Sequence, residues 1–396
     1  MKVWLRTFGC RANQYDTEAV RTMVERGGHT IVDSATEADV AVFNSCAVTS
    51  DAVADLRQAV RRANRERPEL RSLVMGCASA LPEASELRAL PGVSDVLPGA
   101  DLDGVATALG LAAAADVRTR VQSGARALLR IQDGCDEHCT FCATTIARGA
   151  NRSRPIAELV VEASSLAARH AEVVITGVHI GTYGADIGTT LSALMHEMVS
   201  AVPDVRFRLT SIEVTEVDEA LLYLMAASPH RLAPSIHAPL QSGSNAVLRR
   251  MGRHWYTADS YRAAASRMSE RLPVLGFGAD IITGFPGETE VDHCATVALV
   301  ESLPFTYLHV FPYSPRPGTA ALRLPNAVAP GVARDRAAEL RQIGERKAAA
   351  YFASRLGQQA DVVVIGRGRG LSGDYLEIGV PMDLERGQRA VSPYAH

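Results

Sequence analysis

Short apolar, β-prone runs alternate with helix-patterned runs along most of this 396-residue chain, which restricts it to parallel α/β architectures. In the first hundred residues the strand-like runs are "KVWLRTF", "DVAVFNSC" and "SLVMGC". Helical patterns over "QYDTEAVRTMVERGG" and residues 50–66 separate them, and the first closes on a glycine pair that suits a helix C-terminus. Strands joined by crossover helices pair in parallel. Six further strand-like runs follow: "ALLRIQD", "EVVITGV", "RFRLTSI", "SIHAPLQ", "GFGADIITGF" and "FTYLHVF". Helical runs lie between them near residues 155–169, 189–200, 216–227, 245–270 and 287–302. Six β/α units predict a (β/α)6 barrel or partial barrel of TIM type, with chemistry in the loops after the strands. A charged helix over 331–356 leads to a tail of short β runs broken by Gly, Pro and Asp, a small all-β unit.

A chain this long exceeds one ordinary core. The expected division is a Rossmann-like parallel-sheet domain at 1–112, an alanine-rich linker at 113–127, the barrel at 128–352 and the β tail at 353–396. No run of about 18 uncharged apolar residues occurs, so no membrane-spanning helix is expected. The start lacks a signal-peptide pattern, so a cytoplasmic protein is expected. Thiols stay reduced there, and the seven cysteines are an odd number, so metal or redox chemistry is favoured over disulfides.

The cysteines fall into two sets. Cys10, Cys46 and Cys77 each stand just past the carboxyl end of a predicted strand. In a parallel sheet those ends share the edge where ligands bind, so the three thiols can converge. Any one of them alone would pass for a small core side chain. Cys135, Cys139 and Cys142 form a C-x3-C-x2-C group in the loop after the first barrel strand. A structural zinc site wants four ligands, and a [4Fe–4S] cluster normally takes four thiolates. Three cysteines leave one metal position open. His138 is a possible fourth zinc ligand, but it adjoins Cys139, and neighbouring residues rarely bind one metal. Cys294 stands apart in a helix as a plain small side chain.

Net charge is −3, which argues against a protein basic throughout, and nearly all the positive charge is arginine. Arg57, Arg61, Arg62, Arg65, Arg67 and Arg71 crowd one segment; Arg148, Arg152 and Arg154 follow the cysteine triplet; Arg249, Arg250 and Arg253 make a third group. Arginine suits bidentate phosphate contacts, although a charge run is equally often a solvated helix face.

The triplet, with Phe141 before its last cysteine, resembles the radical S-adenosylmethionine enzymes. Over nearly its whole length the chain resembles the methylthiotransferases among them. The motifs are "TFGCRANQYDTEA", "NSCAVT", "MGCASA", "IQDGCDEHCTFC", "ARGANRSRP", "TGVHIGTYG", "HAPLQSGSNAVLRRM", "DIITGFPGETE" and "FPYSPRPGT". The tail resembles the family's TRAM domain, a small RNA-binding barrel. "GCRANQYDTEA" followed by "IQDGC" is most similar to the branch acting on N6-threonylcarbamoyladenosine at position 37 in the tRNA anticodon loop.

The resemblance implies two [4Fe–4S] clusters and S-adenosylmethionine as cofactors. Cys135, Cys139 and Cys142 would hold the cluster that binds S-adenosylmethionine and releases a 5′-deoxyadenosyl radical. Cys10, Cys46 and Cys77 would hold an auxiliary cluster whose open iron carries the delivered sulfur. Phe141, Gly177, Ser211, Glu213 and Gln241 match positions near the cofactor; Ser211, Glu213 and Gln241 also read as strand-end polar residues satisfying local backbone groups. Asn13, Asp280, Arg148, Arg152 and Arg154 are expected on the substrate side. A buried Asp280 would need a partner. No side chain is singled out as catalytic, because clusters and cofactor carry the radical chemistry. The implied partners are tRNA, an electron donor such as flavodoxin or ferredoxin and an unspecified sulfur donor, with the chain a monomer. Ala143, Thr144, Thr145 and Ile146 replace the family's usual apolar-Pro-Tyr stretch after Cys142. Other branches act on isopentenyladenosine in tRNA or on a ribosomal-protein aspartate. A different class, a non-catalytic iron–sulfur RNA-binding redox sensor, would need neither two triplets nor a barrel.

Overall fold

The computed structural model describes residues 1–82, 84–111 and 122–395, so positions 113–121 of the expected linker lie outside the described residues. The chain divides into two units. The first comprises Met1–Arg120, Asp133–Arg152 and Ser314–Leu322; the second comprises Val121–Gln132, Ser153–Tyr313 and Arg323–His396.

The first unit is built on five parallel strands, β1 (Lys2–Thr7), β2 (Thr30–Val32), β3 (Val40–Ser45), β4 (Arg71–Gly76) and β5 (Val93–Val96). Their order is β2-β1-β3-β4-β5. Central β3 is buried along its whole length, as expected of a strand covered on both faces. The short edge strands β2 and β5 were not expected, since three or four residues carry no readable period. Register pairs Thr7 with Asn44 and Ser45 with Gly76, so β1, β3 and β4 end level. Helix α1 (Arg11–Arg26) starts at Cys10, and α2 (Ser50–Glu66) starts where the Thr49 side chain accepts from the Ala52 N–H.

In the second unit the six expected strands are present: β6 (Ala127–Arg130), β7 (Glu172–Thr176), β8 (Arg206–Leu209), β9 (Ser235–His237), β10 (Gly276–Thr283) and β11 (Tyr307–Pro312). β6, β7 and β8 form one parallel set, and β9, β10 and β11 another. Parallel bridges Phe207–Leu232 and Ser211–His237 join them into a six-strand arc. Side chains such as Leu129, Ile175, Phe207, Ile236 and Phe277 make one apolar core with those of the surrounding helices.

The expected helix over 245–270 is two helices, Asn245–Arg250 and Ala258–Arg271. Gly252 takes φ +77°, a conformation glycine adopts at no steric cost, and ends the first. Thr257 then caps the second through the Ser260 N–H. The tail is a four-stranded antiparallel sheet of β12 (Gln359–Gly366), β13 (Arg369–Ser372), β14 (Glu377–Gly379) and β15 (Arg389–Pro393), in order β14-β13-β12-β15.

The tail leans on barrel strand β8 through two buried arginines. Arg206 donates to the carbonyls of Asp361 (2.7 Å) and Leu371 (3.2 Å), and Arg208 to those of Ser372 (2.8 Å) and Gly373 (2.9 Å). Glu172 accepts from both, at 2.6 and 2.8 Å. No helix among the described residues is long and apolar enough to cross a membrane.

Candidate active site

All six cysteines of the two triplets fall in the first unit, and none is in a disulfide. Cys10, Cys46 and Cys77 follow the ends of β1, β3 and β4, the level edge that register creates. Two glycines allow the approach. Gly9 has φ +94°, and a Cβ there would lie 2.4 Å from Cys46 Sγ. Gly76 also has φ +94°, and its Cβ would meet Asn44 Oδ1 and the Ser45 carbonyl at 2.4 Å.

Fully buried Asn13 sits among these strand ends. Its Nδ2 donates to the carbonyls of Phe8 (3.0 Å) and Ser45 (2.7 Å). Its Oδ1 lies 3.7 Å from Cys77 Sγ and 4.0 Å from Cys10 Sγ. Burial pushes the Cys77 thiol up to about 11 against the pull of the Arg148 charge, and burial also raises Cys46. Three free thiols that converge on one sheet edge are a donor set that fits an iron–sulfur centre.

The second triplet lies in a loop closed at its base. The Cys135 N–H donates to the Gly149 carbonyl at 3.0 Å, and the Asn151 N–H to Asp136 at 3.0 Å. The Cys142 N–H turns back to the Cys139 carbonyl at 3.1 Å. Cys142 Sγ lies 3.0 Å from Thr144 Oγ1 and accepts from the Thr144 N–H at 3.4 Å. Thr144, second in the stretch that departs from the family pattern, thus places its hydroxyl and its amide against a cysteine sulfur.

Arg148, at the end of the short helix Thr144–Arg148, departs from expectation. Its side chain is 2% exposed, so it is not placed to meet a phosphate at the surface. Nε lies 3.3 Å from Cys77 Sγ, Nη1 donates to Asp133 (3.0 Å), and Nη2 donates to Asn13 (2.7 Å) and Asp16 (2.8 Å). Burial opposes its charge, but the carboxylates of Asp16 and Asp133 outweigh that and keep it protonated. The physical reason is desolvation: a buried guanidinium is held only where carboxylates neutralise it. Asp16 and Asp133 were not expected in the site, and only the pairing reveals them.

A cavity of about 100 Å³ in this unit is lined by Ala47, Val48, Cys77, Phe141, Cys142, Ala143, Thr144 and Arg316. One cysteine from each triplet therefore borders the same space. Arg316, within the quoted "FPYSPRPGT", is a buried cation that sequence reading passed over.

The second unit holds the other expected residues. Gly177 leaves room for Gln132, whose Oε1 accepts from the N–H groups of Val178 and His179 at 3.0 and 2.9 Å; a Cβ at Gly177 would be 2.8 Å from that oxygen. Ser211 bridges to His237. Glu213 is buried; desolvation raises its pKa, against the charge and hydrogen bond of Arg253. Arg253 also stacks 4.7 Å from the Trp255 ring, so it is committed internally. Gln241 has φ +59°, a left-handed conformation uncommon outside glycine, and its N–H donates to the Asp280 carbonyl at 2.8 Å. Asp280 is only partly buried, and it pairs with His237 and His309. Arg154 binds Glu162 (2.7 Å) and the Arg130 carbonyl (2.9 Å). Back in the first unit, Arg152 is well exposed at 63%.

Comparison with known proteins agrees with this layout. Residues 2–99 match the model described as "Uncharacterized protein family UPF0004", and residues 129–300 match the Radical SAM superfamily. A Rickettsia prowazekii protein named threonylcarbamoyladenosine tRNA methylthiotransferase MtaB is 34% identical, over 96% of this chain and 92% of its own. An Aquifex aeolicus protein of the same name is 32% identical over 96% of both. A Sorangium cellulosum protein named tRNA-2-methylthio-N(6)-dimethylallyladenosine synthase is 34% identical, over 92% of this chain and 81% of its own. A radical S-adenosylmethionine methyltransferase, TsrM from Kitasatospora setae, solved with cobalamin and a [4Fe–4S] cluster, shares the fold: TM-score 0.61, 16% identity, 81% of this chain and 76% of that one. Over nearly its full length, then, the chain belongs to the radical S-adenosylmethionine tRNA methylthiotransferase family.

Proposed function

We propose that the protein adds a methylthio group at carbon 2 of N6-threonylcarbamoyladenosine at position 37 of tRNA. Cys135, Cys139 and Cys142 hold a [4Fe–4S] cluster that binds S-adenosylmethionine, and Cys10, Cys46 and Cys77 hold an auxiliary one. When bound, these groups supply the radical that activates the C–H bond and the sulfur to be delivered. The observation that carries the reading is the single cavity bordered by Cys77 and Cys142. Its lining is mostly apolar, which disfavours water beside reactive intermediates. Arg148 ties the two triplets' supports together, and Asn13 orients the auxiliary site. Gly177, Ser211, Glu213 and Gln241 position S-adenosylmethionine. Exposed Arg152 meets the RNA backbone, and the β tail acts as a TRAM domain. The active protein is a cytoplasmic monomer that takes electrons from a flavodoxin or ferredoxin.

A second reading is supported by the Sorangium cellulosum relative, whose identity equals that of the Rickettsia prowazekii one: the base would then be dimethylallyladenosine. Mass spectrometry of tRNA nucleosides from cells with and without the gene separates the two. Loss of 2-methylthio-N6-threonylcarbamoyladenosine on deletion, restored by the gene but not by Cys10→Ala or Cys139→Ala, supports the proposal. Loss of the dimethylallyl derivative instead moves the assignment to the second reading. Unchanged tRNA nucleosides, with the threonylcarbamoyl modification present, refute both.

A further inference from the structure

Three strands of the second unit bring together a set of ligands that the cluster chemistry does not use. His237 ends β9, Asp280 lies within β10, and His309 lies in β11 directly opposite Asp280. His237 Nε2 is 3.0 Å and His309 Nδ1 3.3 Å from Asp280 Oδ1. All three ligand atoms lie within 4.8 Å of one another. We propose that His237, Asp280 and His309 bind a divalent late first-row metal ion of the zinc class, independently of the iron–sulfur centres.

The distances favour this. Zinc bonds to imidazole nitrogen and carboxylate oxygen are about 2.0–2.2 Å, so ligand atoms of a tetrahedral site stand about 3.3 Å apart. The two Asp280 contacts already have nearly that length, so the ion enters with little side-chain movement. Two imidazoles and one carboxylate suit zinc, cobalt, nickel or iron(II) and are poor for magnesium or calcium.

The surroundings meet a further requirement of such sites. A metal-bound imidazole usually donates its other N–H to a fixed acceptor, which sets the tautomer. His237 Nδ1 lies 3.2 Å from the Tyr307 hydroxyl. Tyr307 is itself held by stacking, 5.6 Å from the His237 ring and 5.1 Å from the Tyr375 ring. On binding, each imidazole presents an unprotonated nitrogen to the ion and keeps its proton on the nitrogen facing away, and three metal bonds replace two hydrogen bonds to Asp280. His309 is half exposed, so the ion keeps a position open to water or to an oxygen ligand.

The test uses the tag-free full-length enzyme with its clusters assembled and excess iron removed. Equilibrium dialysis against Co²⁺, with elemental analysis and absorption spectroscopy, reads the site. The expected result is one Co²⁺ per chain with visible d–d bands and no thiolate charge-transfer band. His237→Ala and His309→Ala should bind at least tenfold more weakly, with iron and sulfide content unchanged. Tyr307→Phe should weaken binding about 10- to 100-fold, the usual effect of losing a partner behind a ligand. No Co²⁺ uptake, equal uptake by wild type and His309→Ala, or a thiolate band would overturn the proposal and leave a hydrogen-bonded triad. Half-exposed His309 can be truncated without opening the core, so that variant remains informative if His237→Ala fails to fold.

Discussion

The Arg148 guanidinium donates to Asn13 Oδ1 at 2.7 Å, joining the short helix after one cysteine triplet to the helix that starts at the other triplet's first cysteine. The same nitrogen reaches Asp16 at 2.8 Å, and Nε faces Cys77 Sγ at 3.3 Å. One buried side chain thus spans the supports of both sites. Charge set in a dry environment is strongly directional but costly if broken.

Arg148→Ala should therefore destabilise the first unit by about 3–5 kcal/mol, because it strands the buried Asp16 carboxylate without a counter-charge. Denaturant unfolding of the cluster-free protein measures it. Combining Arg148→Met with Asp16→Leu should recover part of the loss. A single Arg148→Ala that unfolds like wild type would show that the pair contributes nothing.

The two triplets should separate chemically. Cys139→Ala should retain about half the iron and make no 5′-deoxyadenosine on reduction with S-adenosylmethionine. Cys46→Ala should also retain about half the iron, yet still form 5′-deoxyadenosine while yielding no methylthio product. Iron assay and nucleoside chromatography read both. Loss of 5′-deoxyadenosine in Cys46→Ala would contradict independent roles.

Glycine at position 9 is required twice over, by its left-handed backbone and by the 2.4 Å separation of a Cβ from Cys46 Sγ. Gly28, at φ +73° with nothing within 4 Å of a Cβ, isolates the backbone contribution. Gly28→Ala should cost about 1–2 kcal/mol and leave iron content unchanged. Gly9→Ala should cost more and lose the auxiliary iron. Equal behaviour of the two variants would remove the steric argument.

The second unit should be acid-labile through Glu172. Burial favours its neutral form, but Arg208 and Arg206 outweigh that and hold its folded pKa well below the ordinary carboxylate value. A depressed folded pKa means the stabilisation is present above the unfolded value of about 4.3 and is lost as pH falls below it. Stability should be flat from neutral pH to about 5 and decline below about 4.3. Glu172→Gln should cost about 3–5 kcal/mol at neutral pH and flatten the acid limb. Thermal unfolding across pH 3–8 tests this, and an unchanged acid limb in the variant would locate the lability elsewhere.

Exposed Arg61, Arg62 and Arg65 on α2 should carry part of the RNA affinity. Replacing all three with alanine should reduce the slope of log affinity against log salt by roughly 2–3, at about 0.7–0.9 per phosphate contact. Filter binding of tRNA at several salt concentrations reads the slope. An unchanged slope would make this run a solvated helix face.

The strands and most helices were legible because each is a local pattern: an apolar run, a cap, a glycine stop. The cysteine sets were legible because strand ends and a tight spacing are also local. The interruption of 245–270 by Gly252 was missed because a glycine within a helical pattern is tolerated as often as it ends one. Arg148 was read as a phosphate ligand because an arginine beside a cysteine loop looks the same in sequence whether exposed or buried. Its four partners, Asn13, Asp16, Cys77 and Asp133, lie up to 135 positions away.

By itself the sequence determined the parallel α/β architecture, the six barrel strands and the residues of both triplets, since these follow from periodicity and spacing over a few residues. Only the tertiary structure decided which side chains share a site. β1, β3 and β4 end level because their register pairs Thr7 with Asn44 and Ser45 with Gly76. His237, Asp280 and His309 meet because parallel pairing sets β9, β10 and β11 side by side. Such meetings depend on pairing between distant segments and on the cost of burying charge, and neither is written in any local stretch of the chain.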